Sequence, residues 1–444
     1  MNPKIAIIGA GACGLSAAYE LVKNGCDVTV FEESEQVGGL SAAHEINGAL
    51  LDNIYHHIFT SDAYVTRLAE ELGLEKHLQW KEPRDAFYVN NTLYPFTSPA
   101  DLLKFSHLPF FHRVTMGLLV LRARFIKDMP EEQYAGEWVA KLAGKPVYEK
   151  VWKPLLESKF DADAAEISAV WLWNKFKLRG STRGKDISKE LLGYMDGSFS
   201  RLYEALRGYI TARGGKVLLG AKARKLSKTP GGWEIACAGS NHAATAGGVF
   251  DAALFTAAPA LLNETCPGLN EDYRGKISQI KYKANLCAVL YLKKPLSRFY
   301  WTTVADREIP FVAVIEHTHI VPPAAYGSHV AYLTRYLDAA DPLYGASDGE
   351  IRELFTRGLI KIYPELNLSD ITGFRLFRSR YAQPVIVKGY HKTLPDTRTP
   401  DKGLYLASMA QIYPEDRGQN YAIREGINAA KLILAAQCTK KGLD

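Results

Sequence analysis

The motif that most constrains this chain is Gly9-x-Gly11-x-x-Gly14, because of what flanks it. Before it runs Lys4-Ile-Ala-Ile-Ile8, a short apolar stretch suited to a buried parallel strand. After it, Leu15, Ala18, Tyr19, Leu21 and Val22 repeat at helical spacing, and Gly25 ends the pattern. A second apolar run, Val28–Phe31, closes on Glu32. Strand, glycine turn, helix, strand and acid together specify a dinucleotide site. Gly9 allows a tight turn, Gly11 a close backbone approach to a pyrophosphate, and Gly14 close helix-strand packing. The N–H groups at the helix start, from Ala12 on, attract phosphate, and Glu32 is placed to accept from a ribose.

The rest of the composition narrows the class. The chain has 444 residues, 47% hydrophobic and 23% charged, as in ordinary globular domains. A net charge of +6, without a basic run or zinc-finger spacing, points away from nucleic acid. It suits an anionic small molecule or an anionic membrane surface. The six cysteines form no C-x-x-C pair, so reduced thiols and a cytoplasmic location are expected. No stretch reaches the roughly 18 apolar residues of a membrane span. The apolar N-terminus could pass for a signal peptide, but its three spaced glycines favour the strand-turn-helix reading.

Beyond Glu32 the chain reads Glu33-Ser-Glu-Gln-Val-Gly38-Gly39-Leu40. This resembles the longer fingerprint of glutathione-reductase-type flavoproteins, above all the amine-oxidase superfamily. That superfamily includes monoamine oxidase, protoporphyrinogen oxidase and carotenoid desaturases, with UDP-galactopyranose mutase more distant. Ser34 stands where many members carry Arg. Two later segments extend the resemblance. Residues 197–259 give a helix with Leu202, Leu206 and Ile210 on one face, a strand, a hairpin with Trp233, and a strand Phe250–Phe255. In relatives the position of Ala223 contacts adenine, and the Thr256–Pro259 turn, with Ala257, passes the phosphates. Near the C-terminus, Gly403–Ala407 reads as a strand, and a helix runs from Gly418 to about Gln437. The resemblance implies that this helix start lies at the flavin pyrimidine, with Ser408, Arg417, Gly418 and Asn420 close by. Relatives usually have Gly-Asp where this chain has Ser408-Met409.

The expected fold is therefore α/β: a discontinuous glutathione-reductase-type FAD-binding Rossmann domain plus a mixed α+β substrate domain. The FAD domain is expected to comprise 1–80, 190–275 and 398–444. The substrate domain is expected to comprise 81–189 and 276–397. FAD is expected to be held non-covalently, because no motif sets a Cys, His or Tyr at the flavin edge.

In the substrate half, His56-His57-Ile-Phe and the hairpin around Asn90-Asn91 resemble the flavin-side stretch of UDP-galactopyranose mutase. Adjacent strand residues face opposite ways, so only one of His56 and His57 can meet the flavin. His57, next to Ile58-Phe59, is the preferred member. Asp62 reads as the N-cap of a helix over 63–72. Strands over 311–337 carry His317, His319, Arg335 and Tyr336, followed by Arg380, Tyr381 and Tyr390. Arg335 and Tyr381 are candidate pocket residues by the same resemblance. Residues 105–127 combine apolar Val114, Leu118, Leu121 and Phe125 with flanking Arg113, Arg122, Arg124 and Lys127. That pattern fits a partly buried helix or peripheral membrane contact. The aromatics and cations of Trp171–Arg179 suit either a packed helix or an anionic ligand such as a sugar nucleotide.

Three activities follow. The first is an FAD-dependent oxidoreductase passing hydride from substrate to flavin N5. The second is a sugar-nucleotide mutase using reduced FAD without net redox. The third is an oxidase or desaturase of a lipid-like or porphyrin substrate at a membrane surface.

Overall fold

Lys4–Ile8 is the middle strand of a five-stranded, all-parallel sheet. Its order is Lys216–Leu218, Asp27–Phe31, Lys4–Ile8, Ala252–Phe255 and Leu404–Leu406. Strands far apart in the chain thus meet in one sheet, as the three sequence segments anticipate. Ile5, Ile7, Val28, Val30 and Leu254 are sealed from solvent, because helices cover their face of the sheet, while Ala6, Ile8 and Phe31 on the other face pack on Leu226, Trp233 and Ile235 of a small antiparallel sheet. The computed structural model describes residues 2–123, 125–181, 191–238 and 248–441. Arg124 and the side chain of Arg179 lie outside the described residues.

Helix Ala12–Lys23 packs between helices Gln419–Lys441 and Ser200–Ala212. At Gly426 a Cβ would fall 2.2 Å from the Cys13 carbonyl oxygen, so the crossing with the C-terminal helix excludes any side chain there. On the other side, the Tyr19 and Tyr209 rings meet at 4.5 Å.

One strand expectation needs refinement. The run 250–255 is broken at Asp251: Val249–Phe250 joins an antiparallel sheet, and Ala252–Phe255 joins the parallel one. The Asp251 carboxylate accepts the Lys4 N–H at 2.8 Å and so fixes the junction.

A seven-stranded mixed sheet forms the second body. Its order is Ile371–Pro384, Tyr282–Leu292, His329–Leu337, Ala313–Glu316, Trp301–Val304, Asp85–Val89 and Thr92–Pro95. Period-two alternation gives it two buried faces. Cys287, Val289 and Tyr332 face the nucleotide-binding half. Leu286, Leu290 and Leu333 pack under helix Asp348–Ile362, against Ile351, Phe355 and Leu359. The Asn90-Asn91 hairpin forms as expected, with φ of 53° and 54°, and Asp306 accepts both N–H groups. Helices over 99–181 add a third core around Leu119, Trp138, Phe160, Trp173 and Phe176. His317 and His319 lie in a short 3-10 turn after Ala313–Glu316 rather than on a strand.

Candidate cofactor and substrate site

The nucleotide end is built from backbone. Gly9 has φ +106°, a conformation side-chain-bearing residues avoid. A Cβ on Gly14 would sit 1.9 Å from the Gly9 carbonyl oxygen, so nothing larger than glycine fits. Gly11 starts helix Ala12–Lys23 in extended geometry with no side-chain cap, leaving the first N–H groups to an outside acceptor. The second glycine pair closes on this loop. The Gly38 N–H donates to the Ala10 carbonyl at 2.9 Å, and a Cβ on Gly39 would lie 3.3 Å from the Gly11 Cα. Leu40 follows in a 3-10 turn.

Glu32 spans this cradle. Its carboxylate accepts the Ala10 N–H at 2.7 Å and the Ser34 N–H at 2.9 Å. Each oxygen keeps acceptor capacity for a ribose hydroxyl. Glu33 is exposed and pairs with Lys222 at 2.6 Å. Ala223 lies just past the Glu32 strand end, because Ala221 donates to the Glu32 carbonyl at 2.7 Å. Its strand bulges between Ala223 and Lys225. The Thr256 hydroxyl donates to the Ile8 carbonyl at 2.8 Å, which holds Ala257 against the Gly9 turn.

The closing segment is tied down differently. Ser408 is buried and caps a 3-10 turn with Gln411. Gly418 is exposed at the start of the C-terminal helix. Asn420 turns to another helix: its Oδ1 accepts the N–H groups of Tyr64 at 2.8 Å and Val65 at 3.3 Å. It therefore supplies the cap of helix Ala63–Glu71 that the sequence assigns to Asp62. Asp62 instead accepts the Phe59 N–H at 2.9 Å.

Arg417 and Asp416 carry the charge of the site. The Arg417 guanidinium donates to Tyr336 Oη at 2.5 Å and to Gln383 Oε1 at 3.0 Å. The Tyr336 hydroxyl meets that of Tyr55 at 3.1 Å. Asp416 takes Trp171 Nε1 at 2.9 Å and Gln383 Nε2 at 3.2 Å on one oxygen. Its other oxygen faces Lys175 at 2.6 Å and Lys159 at 3.6 Å. Burial alone would raise the Asp416 carboxyl, but Lys159, Lys175 and Arg417 hold it well below the carboxylate range. Burial lowers the Lys159 ammonium; Asp416 opposes this and Arg417 adds to it. Lys159, Lys175 and Arg417 thus gather around the Asp416 carboxylate.

His56 and His57 diverge as neighbours in an extended segment should, although only Ile58–Phe59 is a strand. His56 turns toward Phe199 and the Arg417 charge. Burial and that charge lower its imidazole to about 4, partly offset by the Ile54 backbone, so it is neutral near pH 7. Its Nδ1 is buried without a hydrogen-bond partner among the described residues. His57 packs on Trp301 and Phe59, and its Nδ1 meets Tyr300 Oη at 3.1 Å. Beneath this segment, Asp52 is sealed from solvent and accepts the Tyr194 and Ser198 hydroxyls. Its carbonyl takes the Tyr332 hydroxyl at 2.7 Å.

Two candidates fall elsewhere. Arg335 pairs directly with Leu286 and so shares the sheet face under helix Asp348–Ile362, opposite Tyr336. Tyr381 packs edge-on against Tyr282 at 5.5 Å, and it is Tyr282, not Tyr381, that meets Ser408. The sequence reading missed Asp416, Lys159, Gln383, Tyr55 and Asp52. Arg417 is among the sequence candidates and Lys175 lies within Trp171–Arg179, but nothing local links either to Lys159.

A parallel sheet, a glycine turn closed to any Cβ at Gly14, and an acid on its rim define a dinucleotide-binding protein. The chain belongs to the family described as flavin containing amine oxidoreductase, which matches residues 12–434. It is 25% identical over 289 residues to protoporphyrinogen oxidase 2, chloroplastic/mitochondrial, of Arabidopsis thaliana, covering 57% of each chain. The chain spans about half the length or less of three curated relatives, at 57%, 37% and 40%. The fold is similar to a solved putrescine oxidase, at a TM-score of 0.75 and 16% identity, covering 98% of this chain and 99% of that one. It is also similar to reduced UDP-galactopyranose mutase, at a TM-score of 0.74 and 16% identity, covering 98% and 96%. The residues present fit FAD: Gly9, Gly11, Gly14, Gly38, Gly39 and Glu32 would hold its adenosine diphosphate half.

Proposed function

We propose that the protein is an FAD-dependent oxidoreductase acting on a small, negatively charged substrate. The observation that carries this reading is the gathering of Lys159, Lys175 and Arg417 beside the Asp416 carboxylate. FAD, when bound, supplies a hydride acceptor at N5. The chain supplies position and field. Lys159 and Lys175 attract the substrate's anionic group, and Asp416 fixes where their ammonium groups stand. Arg417, forked between Gln383 and Tyr336, adds positive charge that favours electron-rich states nearby. His56, kept neutral, offers one nitrogen as acceptor or donor without adding a charge.

The test is anaerobic mixing of the holoprotein with candidate anionic substrates. Loss of the visible flavin band on mixing supports the reading. Lys159→Met should raise KM about tenfold while leaving FAD content unchanged, as expected for losing one charge-assisted contact. A second reading, a sugar-nucleotide mutase, draws on the His56-His57-Ile-Phe stretch and the likeness in fold to the mutase. Turnover that requires prior dithionite reduction and leaves the flavin spectrum unchanged would favour it.

A further inference from the structure

Helix Phe110–Ala123 carries apolar residues on two opposite sides. One side, with Met116, Leu119 and Ala123, is buried in the helical core. The other repeats at spacings of three and four, as Phe111, Val114, Leu118, Leu121 and then Phe125 just past its end, and it faces outward. Phe111 is 70% exposed and Phe125 82%. Eight of the twelve exposed large apolar side chains among the described residues fall between Leu103 and Met129, so this is one patch rather than scattered exposure. Lys104, Arg122 and Lys127 are exposed beside it. No acidic residue occurs between Asp101 and Asp128.

We propose that this face docks the protein on an anionic lipid bilayer, with the helix lying in the plane of the interface. The helix has 14 residues, about 21 Å at the usual rise, against a hydrocarbon core of about 30 Å. No helix among the described residues is long and apolar enough to cross a membrane. An apolar stripe flanked by Lys104, Arg122 and Lys127, with Asp101 and Asp128 only at the ends of the segment, matches an interface of acyl chains and anionic headgroups. A second copy of the chain is a poorer occupant. A two-fold contact would set Lys104, Arg122 and Lys127 against a second cationic copy, with only Asp101 and Asp128 at the ends of the segment to answer them.

The experiment is flotation of the FAD-loaded full chain with two kinds of vesicle: phosphatidylcholine alone, and phosphatidylcholine with about a quarter phosphatidylglycerol. The chain is expected to float with the anionic vesicles at least about tenfold more than with the neutral ones, and less so at high salt. Combining Phe111→Ser, Leu118→Ser and Phe125→Ser should abolish flotation while leaving FAD content and the unfolding midpoint unchanged. Combining Lys104→Gln and Lys127→Gln should remove the preference for anionic vesicles. Wild-type chain that floats with neither vesicle overturns the proposal, as does an apolar variant that floats as well as wild type. So does a dimer in solution that does not float and that the apolar substitutions split, because a second copy would then be the occupant.

Discussion

The Arg417 guanidinium and the Tyr336 hydroxyl are joined at 2.5 Å, linking the loop before the C-terminal helix to the seven-stranded sheet. The same guanidinium reaches Gln383 through its Nε. Arginine's planar fork makes both bonds at once, and a lysine ammonium at the end of a flexible stem does not reproduce that geometry. In Arg417→Lys the charge stays but one partner is released. FAD should remain bound, while the rate at which substrate bleaches the flavin should fall about tenfold, as for losing one charged hydrogen bond. Stopped-flow absorbance under anaerobic conditions measures this. An unchanged rate would show that the link is structural only.

Glu32 joins two backbone N–H groups across the cradle as well as offering oxygens to a ribose. Glu32→Ala leaves both amides and the ribose without a charge-assisted acceptor. Such bonds contribute roughly 1.5–3 kcal/mol, so FAD affinity should drop about ten- to a hundredfold. Glu32→Gln keeps one acceptor oxygen and should fall between the two. Fluorescence titration of the apoprotein with FAD gives both values, and equal affinity in all three proteins would sink the assignment.

Asp52 makes stability depend on pH in a stated direction. Burial raises its carboxyl to about 6, although the Tyr194 and Ser198 hydroxyls oppose the shift. The folded state therefore holds a proton that the unfolded chain releases near 3.8. Between those values the unfolded state binds fewer protons, so stability falls as pH rises, by about 2–3 kcal/mol in all. Asp62, also raised to about 6, acts the same way. Burial lowers His56 to about 4 and His317 to about 3, and both push the other way. The useful quantity is thus the difference between wild type and Asp52→Asn, from urea unfolding at pH 4 and pH 7. The variant should lose less stability, or gain more, over that interval. Parallel curves would rule out Asp52 as a titrating group.

The nucleotide half was legible because its chemistry is local in sequence. Gly9, Gly11, Gly14 and Glu32 occupy one strand-turn-helix-strand unit, and the backbone demands Gly9 by its φ, Gly14 by its space and Glu32 by the two N–H groups it accepts. The charged wall was not legible, because Lys159, Lys175 and Asp416 come together only when helices over 153–181 pack against the closing loop. The cap of helix Ala63–Glu71 escaped for the same reason: the local signal names Asp62, whereas the acceptor arrives from Asn420. Arg335 shows the limit of composition near a pocket. Strand parity decides which face a side chain takes, and the register with Leu286 sends it away from Tyr336. For Phe110–Ala123 the helical period was readable, but two apolar sides alone do not say which one the core covers.

The central claim, an FAD site built on the Gly9–Gly14 turn and the Gly38-Gly39 pair, is tested most directly by the flavin content of the purified chain before and after acid precipitation. About one FAD per chain is expected, with the yellow colour passing wholly to the supernatant because the cofactor is held by hydrogen bonds and dipoles. Colour retained in the pellet would contradict non-covalent binding. A colourless protein that takes up no added FAD would contradict the site itself.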